Sequence, residues 1–139
     1  MIEINEATKQ QIDHALADGY PCVIATASKD AVPELGYKGS MMVFDKESLA
    51  YWERTHQTTI RNILENPNVM VLYRNMAKGG AAWRFLGKAT VYKEGPIRED
   101  VMSRTVQAEL DKDPERKGFA VVIQVDKIFA IGPKLLMER

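Results

Sequence analysis

Short apolar runs separated by polar turns dominate the chain, and they repeat too briefly and too irregularly to be helices packed on a parallel sheet. The run Pro21 to Ala27 is apolar and partly β-branched, and Ser28-Lys29-Asp30 behind it is turn chemistry, so a strand is predicted to enter a hairpin. Further strands are predicted at about Pro33 to Gly39, Met41 to Phe44 and Leu49 to Glu53, the last two joined by the turn Asp45-Lys46-Glu47-Ser48. Four such strands in succession imply an antiparallel meander. Val69 to Arg74 alternates only weakly, which implies burial on both faces. After the Gly79-Gly80 turn, Ala81 to Tyr92 is long enough for an extended, bent strand, with Gly87 as a bulge or a point of close approach. Phe119 to Ile131 is the longest β-like run and should lie centrally.

Three segments follow a helical period instead. Asn5 can cap a helix running to about Ala17, with Ile12, Ala15 and Leu16 on its apolar side and Gly19 ending it. Thr58 to Glu65 places Ile60, Ile63 and Leu64 on one face, and Asn66-Pro67 stops it, because the residue before proline disfavours the helical region. Pro96 opens a helix to about Leu110, and Asp111 to Gly118 is charged and turn-rich. The pattern predicts a mostly β domain covering residues 1–139, with six or more short antiparallel strands and flanking helices in a barrel or split barrel.

Composition narrows the function classes. In 139 residues, basic and acidic side chains number 19 each, so the formal net charge is zero and a general affinity for nucleic acid or an anionic membrane is not expected. Any anion site must be local. The single cysteine, Cys22, lies in an apolar run and reads as a small buried hydrophobe, which favours a reducing, cytoplasmic setting. Met1 to Asn5 carries Glu3 and no basic region, and no apolar run approaches the ~20 residues of a membrane helix, so neither export nor insertion is expected. His14 and His56 have no paired-ligand spacing, and no metal site is expected. No G-x-S-x-G elbow, phosphate-binding Walker loop or G-x-G-x-x-G turn occurs.

Three clusters could carry chemistry. In Tyr51 to Asn62 a strand ends in polar donors and a helix begins, and a helix start offers an anion free amides and a positive dipole end. Thr58 and Thr59 could add hydroxyls there, and Arg54 or Arg61 a guanidinium. The same residues also suit an ordinary N-cap beside solvated arginines. Tyr37-Lys38-Gly39-Ser40 is either a site where Gly39 admits a planar ligand to the backbone or a plain hairpin edge. Trp83-Arg84 sits on the long strand, where the tryptophan could cover an aromatic ring or simply pack.

Taken in order, these segments resemble the FMN-binding split barrels of the pyridoxamine 5'-phosphate oxidase-like family. A helix precedes a strand reading Val23-Ile24-Ala25-Thr26, and a proline-containing strand, Val32-Pro33-Glu34, follows a polar turn. Tyr37-Lys38-Gly39-Ser40 is similar to the Pro-Lys-Gly-Ser type of small members. Thr59-Ile60-Arg61-Asn62-Ile63 with Asn66-Pro67-Asn68-Val69 resembles the family's Lys-Thr-x-x-Asn-Leu and Asn-Pro-x-Val, and Arg84 to Ala89 its strand ending in Gly-x-Ala. The likeness is good from Tyr20 to Tyr92 and holds only in outline beyond.

The resemblance implies an antiparallel six-stranded split β-barrel with flanking helices, paired as a homodimer with FMN in the grooves between subunits. The ring would lie along Lys38, Gly39, Ser40 and Met41, and the phosphate near Arg54, Gln57, Thr58, Thr59 and Arg61. Trp52 and, on the long strand, Trp83 and Arg84 complete the implied cofactor set. Met41, Met42, Val43, Trp52 and Trp83 are expected to be surplus apolar surface that the second copy covers. The implied activity is flavin-dependent oxidoreduction of a small-molecule redox substrate or nicotinamide donor, with no particular side chain marked as catalytic. Non-enzymatic flavin binding or electron transfer, and a deazaflavin or haem in place of FMN, are the alternatives. The sequence departs from the pattern where Thr58 replaces a lysine, and it lacks both the second-strand arginine-lysine pair and the C-terminal tryptophan and arginine of the true oxidase. Oxidation of pyridoxamine phosphate itself is not expected.

Overall fold

Asn5 acts as the cap its position predicts: its side chain accepts a hydrogen bond from the Thr8 amide at 2.8 Å and starts α1 (Glu6–Asp13). The helix is shorter than the apolar period suggested. Beyond Asp13 the backbone tightens, with Ala15 N–H bonding Ile12 O and Gly19 N–H bonding Leu16 O, and Gly19 leaves at a positive φ.

The computed structural model describes residues 1–139. After α1 come β1 (Cys22–Ala27), β2 (Pro33–Lys38), β3 (Met42–Asp45), β4 (Ser48–Glu53), α2 (Thr58–Glu65) and β5 (Asn68–Asn75). A short 3-10 turn leads to β6 (Ala81–Tyr92), then α3 (Pro96–Arg104), α4 (Gln107–Leu110), β7 (Phe119–Phe129) and β8 (Leu135–Glu138). The helix expected from Pro96 to Leu110 is thus two helices. Thr105 separates them: its backbone is extended and its hydroxyl returns to Val101 O at 2.7 Å.

All strands join one antiparallel sheet in the order β2-β1-β5-β6-β7-β4-β3, with β8 on the second half of β7. There are eight strands, the seven segments read as strands in the sequence and β8. The meander is also corrected, because β1–β2 and β3–β4 are separate hairpins at opposite ends of the strand order. Flat, seven strands would hold β2 and β3 about 29 Å apart at ~4.8 Å per strand. The chain from Lys38 to Met42 can span only about 14 Å. The sheet must therefore curl until its two free edges face each other across that link, which makes a barrel split along one seam. β7 is central, as expected, with β6 along one side and β4 and then β8 along the other.

The core fills the concave side. Ile24, Val71, Tyr73, Phe85, Val121 and Ile123 meet Ile12 of α1 and Ile60 and Ile63 of α2 there, while a smaller cluster of Met42, Ala50 and Ala120 lies under Val101 of α3. β5 is not buried on both faces: Val69, Val71 and Tyr73 point inward, while Met70 and Leu72 are half-buried outside. No helix covers that outer face, so only one side of β5 meets a partner layer. Met41, Met42, Val43 and Trp52 are buried within the chain itself, and Trp83 packs against the core, stacked on Tyr73. Met41, Met42, Val43 and Trp52 are therefore not the surplus surface expected of them, while Trp83 stays partly exposed. The exposed apolar side chains are others, among them Tyr37 at 74% and Leu35 at 68% relative exposure. No helix is long and apolar enough to cross a membrane.

Candidate functional site

The link that forces the sheet to curl also builds a cleft. Ser40 pins the link to β4, accepting from the Trp52 amide at 2.9 Å and donating to the Trp52 carbonyl at 3.1 Å. Lys38, Gly39 and Ser40 thereby face Trp52, Glu53 and Arg54 across a cavity of about 120 Å³, closed on a third side by Glu109 of α4. The Glu109 carboxylate fills the space beside Gly39: a β-carbon there would lie 2.2 Å from Glu109 Oε1, so a larger residue would have to push that side chain aside. The close approach that the sequence suggested for Gly39 is taken by this carboxylate.

Two ion pairs set the electrostatics. Lys38 Nζ bonds both carboxylate oxygens of Glu53, at 3.0 and 3.2 Å, and Thr55 donates to the same carboxylate through its amide and hydroxyl. Glu53 is 1% exposed. Lys38 Nζ also stands 5.5 Å from the centre of the Tyr51 ring. The Tyr51 hydroxyl is buried without a hydrogen-bond partner, and burial, with the Glu53 charge added, pushes its pKa up. In the second pair Arg54 donates from Nε to Glu109 Oε2 at 3.1 Å.

Trp52 is held as tightly as its backbone. Its indole N–H donates to Asp113 Oδ2 at 2.9 Å, and the Arg98 guanidinium lies 4.9 Å from its ring centre. At 2% exposure its face is not open to a flat ligand. Asp113 also accepts from the amides of Lys117 and Gly118, which folds the charged loop before β7 under the indole. Burial alone would raise the Asp113 pKa, but the Lys117 amide, the Trp52 indole, the Gly118 amide and the Arg116 charge together lower it below the usual 3.8. A carboxylate with a depressed folded pKa stabilises the fold above its unfolded value and loses that contribution as pH falls through the folded one. Asp113→Asn is therefore expected to destabilise at pH 7 and to lose part of the wild-type loss of stability below about pH 4. Urea denaturation across pH 2.5–7 checks this, and parallel wild-type and variant curves would refute it.

At the start of α2, Gln57 makes no side-chain cap. The first amides of this helix have no acceptor within it until Arg61 N–H reaches Gln57 O. Thr58 Oγ1 accepts from Arg61 Nη2 at 3.3 Å, and Thr59 packs beside Gly36 of β2. The structure thus gathers Lys38, Gly39, Ser40, Trp52 and Arg54 in the cleft, with Gln57, Thr58, Thr59 and Arg61 in the segment leaving it. Met41 points into the core. Trp83 and Arg84 lie apart from the cleft, and Arg84 is engaged by the carbonyls of Ala130 and Gly132 and by the Phe129 ring.

Sequence reasoning did not single out Glu53, Glu109 or Asp113. For Glu53 a signal existed, a carboxylate closing the apolar run Leu49 to Trp52. For Glu109 and Asp113 there was none, since both lie in charged stretches without periodicity. Cys22 is buried as expected, and burial pushes its thiol up to about 12, beyond ordinary reactivity.

The donor set suits a ligand with an anionic end: free amides at a helix start, two arginines beside them and a lysine at the base of the cleft. The single-chain cleft is smaller than the ~300–1,000 Å³ of typical small-molecule sites. Next to it, on the far side of Tyr37, a second cavity of about 430 Å³ opens on the outer sheet face between Val23, Leu72 and Arg74.

Comparison with known proteins gives this geometry a context. A family model for pyridoxamine 5'-phosphate oxidase matches residues 8–131. An uncharacterized protein of Methanocaldococcus jannaschii is 34% identical over 114 residues, covering 79% of this chain and 73% of the relative. The crystal structure of HupZ from Group A Streptococcus superposes with a TM-score of 0.74 at 23% identity, over 96% of this chain and 98% of that one. An FMN-binding protein of Syntrophomonas wolfei superposes with a TM-score of 0.71 at 12% identity, over 94% and 88% of the two chains.

Proposed function

Because the chain belongs to the pyridoxamine 5'-phosphate oxidase family and has its split-barrel fold, we propose that it binds FMN between two copies of itself and serves as a flavin-dependent oxidoreductase. The observation that carries this reading is the coincidence, at one end of the barrel, of the cleft with unengaged anion donors. Both Nη atoms of Arg54 lack a protein partner, and α2 begins four residues further on with unsatisfied amides. The phosphate would be held by Arg54, Arg61 and the first turn of α2, with Thr58 and Thr59 as hydroxyl donors. The ring edge would rest along the backbone from Lys38 to Ser40. Bound FMN supplies the redox chemistry at its ring. The protein's part is to orient the flavin, keep one side dry and leave the other to the substrate.

The second wall would come from a second copy. Tyr37, Leu35, Val23, Met70 and Leu72 form an apolar face on β2, β1 and β5 that no element of the chain covers. The cleft and the larger cavity flank Tyr37, at the border of this face. Docking two such faces would enlarge the small cleft into a groove deep enough for a flavin. Of the tail, Arg139 is committed to Val125 O and Glu47, which favours a substrate other than pyridoxamine phosphate. The buried lone thiol suits a cytoplasmic location.

Titration of the purified protein with FMN and with riboflavin, followed by flavin absorbance and fluorescence, tests the site. FMN is expected to bind at least tenfold more tightly, and light scattering should give about 31 kDa, twice the 15.7 kDa chain. Absence of binding by either flavin would overturn the reading, and a monomeric mass would overturn the shared groove. Oxidation of NADH or NADPH by the loaded protein with added acceptors then separates an enzyme from an electron carrier.

A further inference from the structure

We propose that Glu109 is the specificity-determining residue of the cleft: it orients Arg54 through Nε while its charge restrains the affinity for a phosphorylated ligand. This rests on the flavin reading above and concerns the phosphate end of that site.

The pair is lopsided. Glu109 is held at 11% side-chain exposure and Arg54 at 37%, so the acid grips the guanidinium from the protein side. Only Nε is used, which leaves Nη1 and Nη2 of the more exposed partner without a protein acceptor, and that fork is the end that takes two oxygens of a phosphate. Glu109 Oε1 accepts no hydrogen bond and sits over Gly39, in space any larger residue would fill. α4 is a four-residue helix whose closing bonds, Asp111 N–H to Gln107 O and Lys112 N–H to Glu109 O, fix the residue's backbone. A carboxylate so placed is not there to complete a hydrogen-bond network, because half of it is unengaged.

The charge count of the cleft gives the consequence. Lys38 and Arg54 are its cations, and Glu53 and Glu109, both largely buried, are its anions, so the lining sums to zero. A phosphate on the Arg54 fork would stand within a few ångströms of the Glu109 carboxylate in a partly dry site, where like charges repel far more than in water. The same carboxylate fixes the direction of the fork. Glutamine at 109 keeps an acceptor for Arg54 Nε and removes the charge, whereas alanine removes both.

Wild type, Glu109→Gln, Glu109→Ala and the pair Arg54→Gln and Arg54→Gln/Glu109→Gln are titrated with FMN and riboflavin, and the ratio of the two dissociation constants is read by flavin fluorescence. Glu109→Gln should raise the preference for FMN about tenfold and leave riboflavin unchanged, with the gain shrinking in added salt. Glu109→Ala should gain less, since Arg54 loses its anchor. In the Arg54→Gln background the gain should vanish. An unchanged ratio in Glu109→Gln, an equal shift for both flavins, or a gain that persists without Arg54 would overturn the assignment while leaving the flavin site standing. Binding of neither flavin by wild type would overturn both.

Discussion

Replacing Lys38 by alanine is expected to lower stability by about 3 kcal/mol or more, although the residue reads from the sequence as a ligand contact. The change removes the one cation facing a carboxylate that is 1% exposed, and leaves Glu53 with only the amide and hydroxyl of Thr55. Two hydrogen bonds from neutral donors do not replace an ammonium at 3.0 and 3.2 Å. The double variant Lys38→Met/Glu53→Gln takes away both charges and should recover most of the loss, because an absent buried pair costs far less than half of one. Urea denaturation of the two proteins without added flavin checks this. A Lys38→Ala midpoint at the wild-type value would show that Glu53 does not depend on its partner. The comparison also guards the functional reading, since flavin binding lost in Lys38→Ala alone reports on folding as much as on contact.

Lys38 illustrates what was legible in the sequence and what was not. Local signals translated directly. Asn5 caps α1, α2 runs from Thr58 to Glu65 as its apolar spacing and Asn66-Pro67 required, and Pro96 opens α3. Pairing was less accessible. Adjacency in sequence suggested that β2 and β3 lie side by side, yet they end up as opposite edges, because β1 pairs onward with β5 and β4 with β7, and β6 joins those two. β8 went unread because it is short, mostly exposed and defined by its bonds to β7 rather than by its own pattern.

The site divides along the same line. The segments that come together, Lys38 to Ser40 and Trp52 to Arg54, were visible as polar interruptions of apolar strands. Their partners were not, since Glu109 and Asp113 reach them from a region whose charges look like solvated surface. The apolar residues assigned to an interface, Met41, Met42, Val43 and Trp52, prove to be core, and the exposed apolar face belongs to strands that alternate. A hydrophobic side chain in a curled sheet is inside or outside according to the phase of its strand, and that phase is set only when the sheet closes.

Gly87→Ala carries the other large expected effect, also about 3 kcal/mol or more. The β6–β7 register shifts between Leu86 and Gly87, the bulge the sequence suggested, and an added β-carbon would meet Gln124 O at 2.3 Å, Ile123 Cγ2 at 2.9 Å and Gln124 C at 3.0 Å. Two of these three are backbone atoms of the neighbouring strand. No rotamer relieves such a contact, so β6 and β7 must separate where the bulge turns the sheet. Gly80→Ala is the control: at φ +73° with nothing within 4 Å, it bears only the strain of the left-handed region, about 1 kcal/mol. If urea midpoints place Gly87→Ala no lower than Gly80→Ala, the close approach of β6 to β7 is wrong. If the order holds, the absence of a side chain at Gly87 is what lets β6 and β7 close at the bulge, within the sheet whose curl brings Lys38 against Glu53.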